Sequence, residues 1–252
     1  MINFRELLRS GDVLCGTMLT MASSEAAEAL AHIGFDWLFV DAEHSPLSAV
    51  VVRDLIQVAR STPCLVRIAS KDKTLVQEAL DAGAAGIIAP SVNTAADAEL
   101  IVDWVKYPPV GSRGIGLSRA NMYGLRFKEY LEGANQNLAA VVQAEHIDAV
   151  NNIESICSVE GVDGVFIGPY DLSASLNKTG LLEDAEVVSA IEHVRDVCLD
   201  KKIPLGFFGV QAEDVAIKVS EGFTLLCSGL DISFLTAGAR DTLNRLKKEK
   251  KV

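Results

Sequence analysis

Two carboxylates stand at the ends of short apolar runs, Glu145 after LAAVVQA and Asp171 after GVFIGPY. Brought together away from water, two such anions repel and one tends to take up a proton. A divalent cation between them removes the conflict. All-oxygen ligation, with no Cys/His set nearby, favours Mg²⁺ or Mn²⁺, with Co²⁺ a further candidate, over Zn²⁺. Pairing with a basic side chain is the alternative, and spacing alone leaves both open. His44, in DAEHSP, follows a third apolar run and has acidic neighbours. It is a candidate general base or a structural histidine. Arg67 lies inside CLVRIA, where a guanidinium needs an anion. Asp41 as a salt-bridge partner and a substrate carboxylate or developing enolate both meet that need.

The elements that position these residues are eight candidate strands: Leu14–Thr20, Trp37–Glu43, Cys64–Ala69, Gly86–Val92, Leu138–Glu145, Gly164–Asp171, Pro204–Gly209 and Phe223–Asp231. Continuous apolar runs such as WLFV, GIIA and GVFI suit parallel strands buried on both faces. Helical patterns alternate with them, as in Leu47–Arg60, where Val51, Leu55 and Val58 share a face. Eight β-α units in series imply a (β/α)8 TIM barrel. Glycines at 34, 83, 161 and 222 could end the helices before four of the strands. The longest interruption, Tyr107–Ala134, separates strands four and five and suits a functional loop or an interface. In such a barrel chemistry gathers at the C-terminal strand ends. DAEH, Arg67, QAE and GPYDLS all fall there. None of the eight runs contains a lysine, which disfavours a Schiff-base mechanism.

The 252 residues fit one barrel domain over 1–252, and 49% apolar content supplies a large core. A net charge of -11 argues against nucleic acid or anionic membranes as partners. The opening MINFRELLRSGD lacks an apolar signal region and no apolar run is long enough to span a bilayer, so a cytoplasmic protein is expected. The five cysteines are scattered, without a CxxC pair, and suit buried free thiols in a reducing compartment. The tail KKEKKV is expected to be solvated.

The runs FVDAEHSP, VRIAS, VVQAEHIDAVNNI, EGVDGVFIGPYDLSASL and VKYPPVGSRGIGLSRA resemble the HpcH/HpaI aldolase family, the class II pyruvate aldolases of the phosphoenolpyruvate/pyruvate superfamily. The combination of DAEH, QxE and GPxDLS is the specific element, and the resemblance covers nearly the whole chain in order. It implies a metal-dependent lyase that cleaves a 4-hydroxy-2-keto acid of 2-keto-3-deoxy type to pyruvate and an aldehyde. It also implies roles by position. His44 is the proton-transfer base, or positions the water that serves as base. Arg67 stabilises the charge that develops at the keto oxygen. Asp81 supports the histidine. Gln143, Gly168, Tyr170 and Asp171 contact substrate. Glu145 and Asp171 bind the metal. On helical pattern alone Asp81 sits on a polar face with Thr74 and Glu78. The sequence departs from relatives at Tyr170, where several have a small residue, and at His146, where threonine is common. These departures bear on aldehyde specificity, with Tyr170 expected to narrow that side of the pocket. Rival activities are a citrate-lyase-β-like enzyme acting on a CoA thioester, for which no basic patch is evident, and a non-catalytic barrel. The resemblance, with the apolar series Leu235, Ala239, Leu243 and Leu246, leads to an expected hexamer in which the last helix is exchanged between partners.

Overall fold

In the computed structural model, which describes residues 3–249, eight parallel strands close on themselves in chain order. They are β1 (Leu14–Leu19), β2 (Trp37–Asp41), β3 (Cys64–Arg67), β4 (Gly86–Ala89), β5 (Ala139–Ala144), β6 (Gly164–Ile167), β7 (Leu205–Gly209) and β8 (Leu225–Leu230). Helix α1 (Phe4–Arg9) precedes the barrel. Around it run α2 (Ser24–Ile33), α3 (Ala49–Val58), α4 (Lys73–Asp81), α5 (Ala95–Val105), α6 (Phe127–Asn137), α7 (Ile147–Asn151), α8 (Ile153–Ile156), α9 (Pro169–Ser175), α10 (Ala185–Asp200), α11 (Ala212–Ser220) and α12 (Asp231–Glu249). This is the (β/α)8 TIM barrel expected. Each strand lies inside its expected range, and the differences fall mainly at the C-terminal ends. Asp171 in particular is not a strand tip: Pro169 starts α9, and Asp171 lies in that helix's first turn. Of the expected solvated tail, residues 250–252 lie outside the described residues.

A two-residue period sorts the strand side chains. Trp37, Phe39, Leu65, Ile88, Val141, Phe166 and Leu225 point inward and pack with Phe4 and Leu8 of α1, which seal the N-terminal end. Leu38, Val40, Val66, Ile87, Val142 and Ile167 point outward under the helices. Gly16 makes room for the Trp37 ring, whose nearest atom would be 2.5 Å from a Cβ at that position. On α3 the buried stripe is Val52, Leu55 and Ile56, one step round from the Val51–Leu55–Val58 face read from sequence. Glycines 34, 83, 161 and 222 all have positive φ, as helix-ending glycines should.

The N-terminal end of the barrel is tied by Asp163, which is fully buried. It receives Arg5 Nε at 2.6 Å, Arg9 Nη2 at 2.7 Å and the Ala140 N–H at 3.0 Å. Lys106 Nζ stands 3.9 Å away and donates to the carbonyls of Asn135 and Leu138. Four cysteines are buried as expected. Cys15 is exposed on the outer face of β1, because α12 leaves β8 with most of its residues exposed instead of closing down over the strands. Phe234, Leu235, Leu243 and Leu246 of α12 stand open, Leu235 at 59% exposure.

Candidate active site

Continuing the inward period past the rings brings polar residues to the C-terminal mouth: Asp41 above Phe39, Arg67 above Leu65, Gln143 and Glu145 above Val141, Gly168 above Phe166. Asp41 and Arg67 are register partners across β2 and β3. Arg67 is 9% exposed and lies over the Phe39 ring, 5.3 Å from its centre. Its Nε donates to Asp41 Oδ1 at 2.9 Å, and the same nitrogen is 3.2 Å from Glu43 Oε2. Asp41 Oδ1 also accepts the N–H groups of Glu43 and His44, at 3.1 and 3.3 Å, which fixes the turn after β2. The His44 ring is 63% exposed, with Nε2 3.8 Å from Glu43 Oε2. Among the described residues neither Nη nitrogen of Arg67 has a protein acceptor, so the salt bridge to Asp41 leaves that edge free for a second anion.

The opposite wall is rich in acceptors. Glu145 is buried and takes the Ser91 N–H at 2.6 Å on Oε1 and the Gln143 amide on Oε2. Burial pushes its carboxyl above the usual glutamate range; the Ser91 N–H draws it back, and the charge of Asp171 pushes the same way as burial. Gln143 Oε1 and Glu43 Oε2 are buried without a hydrogen-bond donor. A Cβ at Gly168 would fall 2.8 Å from Gln143 Nε2 and 2.9 Å from Glu145 Cβ, so only glycine lets these two pack where they do. Unpaired acceptors beside two oxygen-only carboxylates fit a hard divalent cation. No cage of three His, Cys, Asp or Glu side chains exists among the described residues. Glu145 and Asp171 would therefore leave most coordination positions to substrate and water.

Residues 15–237 match the model of the HpcH/HpaI aldolase/citrate lyase family. The chain belongs to this family. It is 38% identical over 240 residues to a 4-hydroxy-2-oxovalerate aldolase of Rhodococcus jostii, covering 92% of this chain and 91% of that one. To a hydroxypyruvate/pyruvate aldolase of Chromohalobacter salexigens it is 34% identical over 241 residues, 94% of each chain. The crystal structure of a family member from Burkholderia cenocepacia superposes with a TM-score of 0.94 at 32% identity, covering 98% of this chain and 100% of that one. The protein is an aldolase, a carbon–carbon lyase.

Not every residue implied by the family resemblance joins the mouth. Asp81 is the last residue of α4, which starts at the C-terminal mouth and ends at the far face before β4. Its carboxylate receives Arg113 Nη2 at 2.7 Å, and Arg113 is stacked on Tyr107. Within one chain it is not a partner of His44. Tyr170 is 49% exposed, its ring in a groove with Leu181, Phe208 and Val210 that runs outward between α10 and α11. In a single chain, therefore, the ring does not narrow the mouth as expected. His146 caps α7: its Nδ1 accepts the Asp148 N–H at 3.1 Å. A threonine would do the same, which accounts for the departure without reference to substrate. Lys106, the buried lysine, lies at the opposite end of the barrel from these groups. Glu43 and Ser91 are in the site and were missed. The inward period from Phe39 through Asp41 would have found Glu43; nothing local marks Ser91, whose backbone N–H makes the stronger contact.

Proposed function

We propose that this aldolase reversibly cleaves a 4-hydroxy-2-keto acid of 2-keto-3-deoxy type to pyruvate and an aldehyde. Glu145 and Asp171 would hold a divalent cation, Mg²⁺ or Mn²⁺, which supplies Lewis acidity toward the keto group. The observation that carries this is the free Nη edge of Arg67, fixed at Nε by Asp41 and turned to a mouth walled by Glu145 and Gln143. A guanidinium so held offers its charge to an oxygen that becomes negative only as the C3–C4 bond breaks. His44 takes the C4 hydroxyl proton, directly or through a water. Gln143 contacts the keto acid, and the backbone N–H of Tyr170, in the first turn of α9, faces its carboxylate. Asp81 has no part in this chemistry within one chain. The catalytic barrel is read as spanning 1–252, in a cytoplasmic protein.

The open apolar face of α12 and the exposed Cys15 on β1 support a homo-oligomer, a hexamer built as a trimer of dimers, in which α12 of one copy covers a partner. Val110, Ile115, Leu117 and Leu125 of the long connection are also exposed. No helix among the described residues is long and apolar enough to cross a membrane. The functional test is pyruvate release from a panel of 4-hydroxy-2-keto acids with added Mg²⁺ or Mn²⁺. Release from at least one member is expected, and no release from any would overturn the proposal.

A further inference from the structure

Cys157 and Cys198 meet sulfur to sulfur in the layer of helices around the barrel. Cys157 is the C-cap of α8, and Cys198 lies in the last turn of α10. Their Sγ atoms are 3.6 Å apart. A disulfide bond is about 2.0 Å long, so the sulfurs need to approach by less than one bond length. Both helices end just before β6 and β7 begin, which places the pair toward the N-terminal end of the barrel, away from the mouth.

The two thiols are not equivalent. Cys198 is fully buried, whereas Cys157 is 6% exposed, an opening that suits a small oxidant and not a bulky one. The hydrogen bond from Cys198 draws the Cys157 thiol below its ordinary range against the cost of burial, and the charge of Lys201 helps. Lys201 is held nearby by its own bond to Ser158 Oγ, at 3.0 Å. The same contact, with burial, pushes the Cys198 thiol up. Cys157 is thus the attacking thiol and Cys198 the resolving one. Burial pushes Cys64 and Cys227 up as well, which leaves them inert.

We propose that Cys157 and Cys198 form a reversible disulfide on exposure to hydrogen peroxide, and that this bond staples α8 to α10 without disturbing the catalytic mouth. The Cys157 thiolate attacks one peroxide oxygen. An S–O bond forms, the O–O bond breaks, and the other oxygen takes up a proton and leaves as water. The Cys198 sulfur then displaces the hydroxyl of that sulfenic acid, which leaves as a second water. The protein gives up two hydrogens with their electrons, and the peroxide is reduced to two waters. A cellular dithiol reverses the bond by thiol–disulfide exchange. The loop so closed contains β6 and α9, and with them Gly168 and Asp171. Closing a long loop restricts the unfolded chain far more than the folded one.

The test uses the whole enzyme carrying Cys15→Ser, which removes the exposed thiol. The reduced protein is treated with hydrogen peroxide, alkylated and digested without reductant. A peptide pair linked through Cys157 and Cys198 is expected, and dithiothreitol should abolish it. The oxidised enzyme should melt roughly 5–15 °C above the reduced one, with kcat of its aldolase reaction unchanged. In Cys198→Ala, dimedone should trap a sulfenic acid on Cys157; in Cys157→Ala, Cys198 should stay unlabelled. Peroxide treatment that leaves both thiols free, or carries Cys157 to the sulfinic acid without a cross-link, overturns the inference. So does a cross-link that fails to raise Tm, or one that stops turnover until it is reduced. Peptide mapping and melting need no substrate, so they decide the cross-link even where the keto-acid proposal fails.

Discussion

Asp41 and Arg67 meet as register partners across β2 and β3, and Asp41 Oδ1 takes the single Nε proton of Arg67 at 2.9 Å. The pair is structural and functional at once: the bond that satisfies the buried guanidinium also points its two Nη nitrogens at the mouth.

Arg67→Ala should lower kcat by about 10²–10³-fold, the usual cost of one donor to a developing oxyanion. Arg67→Lys should not rescue it. A lysine at this depth could pair with Asp41 or reach the mouth, but a point charge cannot hold both edges at once. Steady-state kinetics with saturating metal check this, and a Lys variant within about threefold of wild type would contradict it.

Gly168→Ala should fold, since Gly168 has negative φ (-99°), but its Cβ would press on Glu145 Cβ and the Gln143 amide. Displacing Glu145 should weaken metal binding and lower kcat/KM by about tenfold or more. Metal titration and circular dichroism together read this. A folded variant with wild-type metal affinity would show that the wall is more compliant than its packing implies.

The eight strands were legible because parallel strands buried on both faces read as apolar runs, and their ends named Arg67, Gln143 and Glu145 directly. Asp171 was misplaced by a few residues because GVFIGPYD reads as one run until Pro169 is taken as a helix start. Asp81 could not be placed from spacing. Fourteen residues after Arg67 is the length of a loop and a nine-residue helix, which carries the chain to the other end of the barrel. The exposure of Cys15 depends on where α12 goes, and no local pattern states that.

Lys106 gives a signed prediction for stability. Burial lowers its amine from 10.5 to about 8, while Asp163 partly restores it. Between those values the unfolded chain binds more protons than the folded one, so this lysine makes stability rise with pH, by up to about 1.4 kcal/mol per pH unit. Tyr107, pushed up by burial from 10.0 to about 12, acts in the opposite sense above pH 10. The rise is therefore read from pH 8 to 10. Urea unfolding across that window should show a steeper rise for wild type than for Lys106→Met, and equal slopes would contradict the burial of a charged amine.

The open face of α12 predicts its partner. Light scattering at micromolar concentration should give a hexamer, and Leu243→Asp with Leu246→Asp should lower the mass. A wild-type monomer would mean that α12 is covered in some other way.

The most direct test is pyruvate release from a 4-hydroxy-2-keto acid by wild-type enzyme, measured as isolated, after EDTA, and after Mn²⁺ is restored, with Asp171→Ala beside it and borohydride plus pyruvate as a trap. Activity should vanish with EDTA, return with Mn²⁺, return only in part in Asp171→Ala, and be untouched by borohydride. Full activity in EDTA, or inactivation by borohydride through a lysine, would contradict the two-carboxylate site at Glu145 and Asp171.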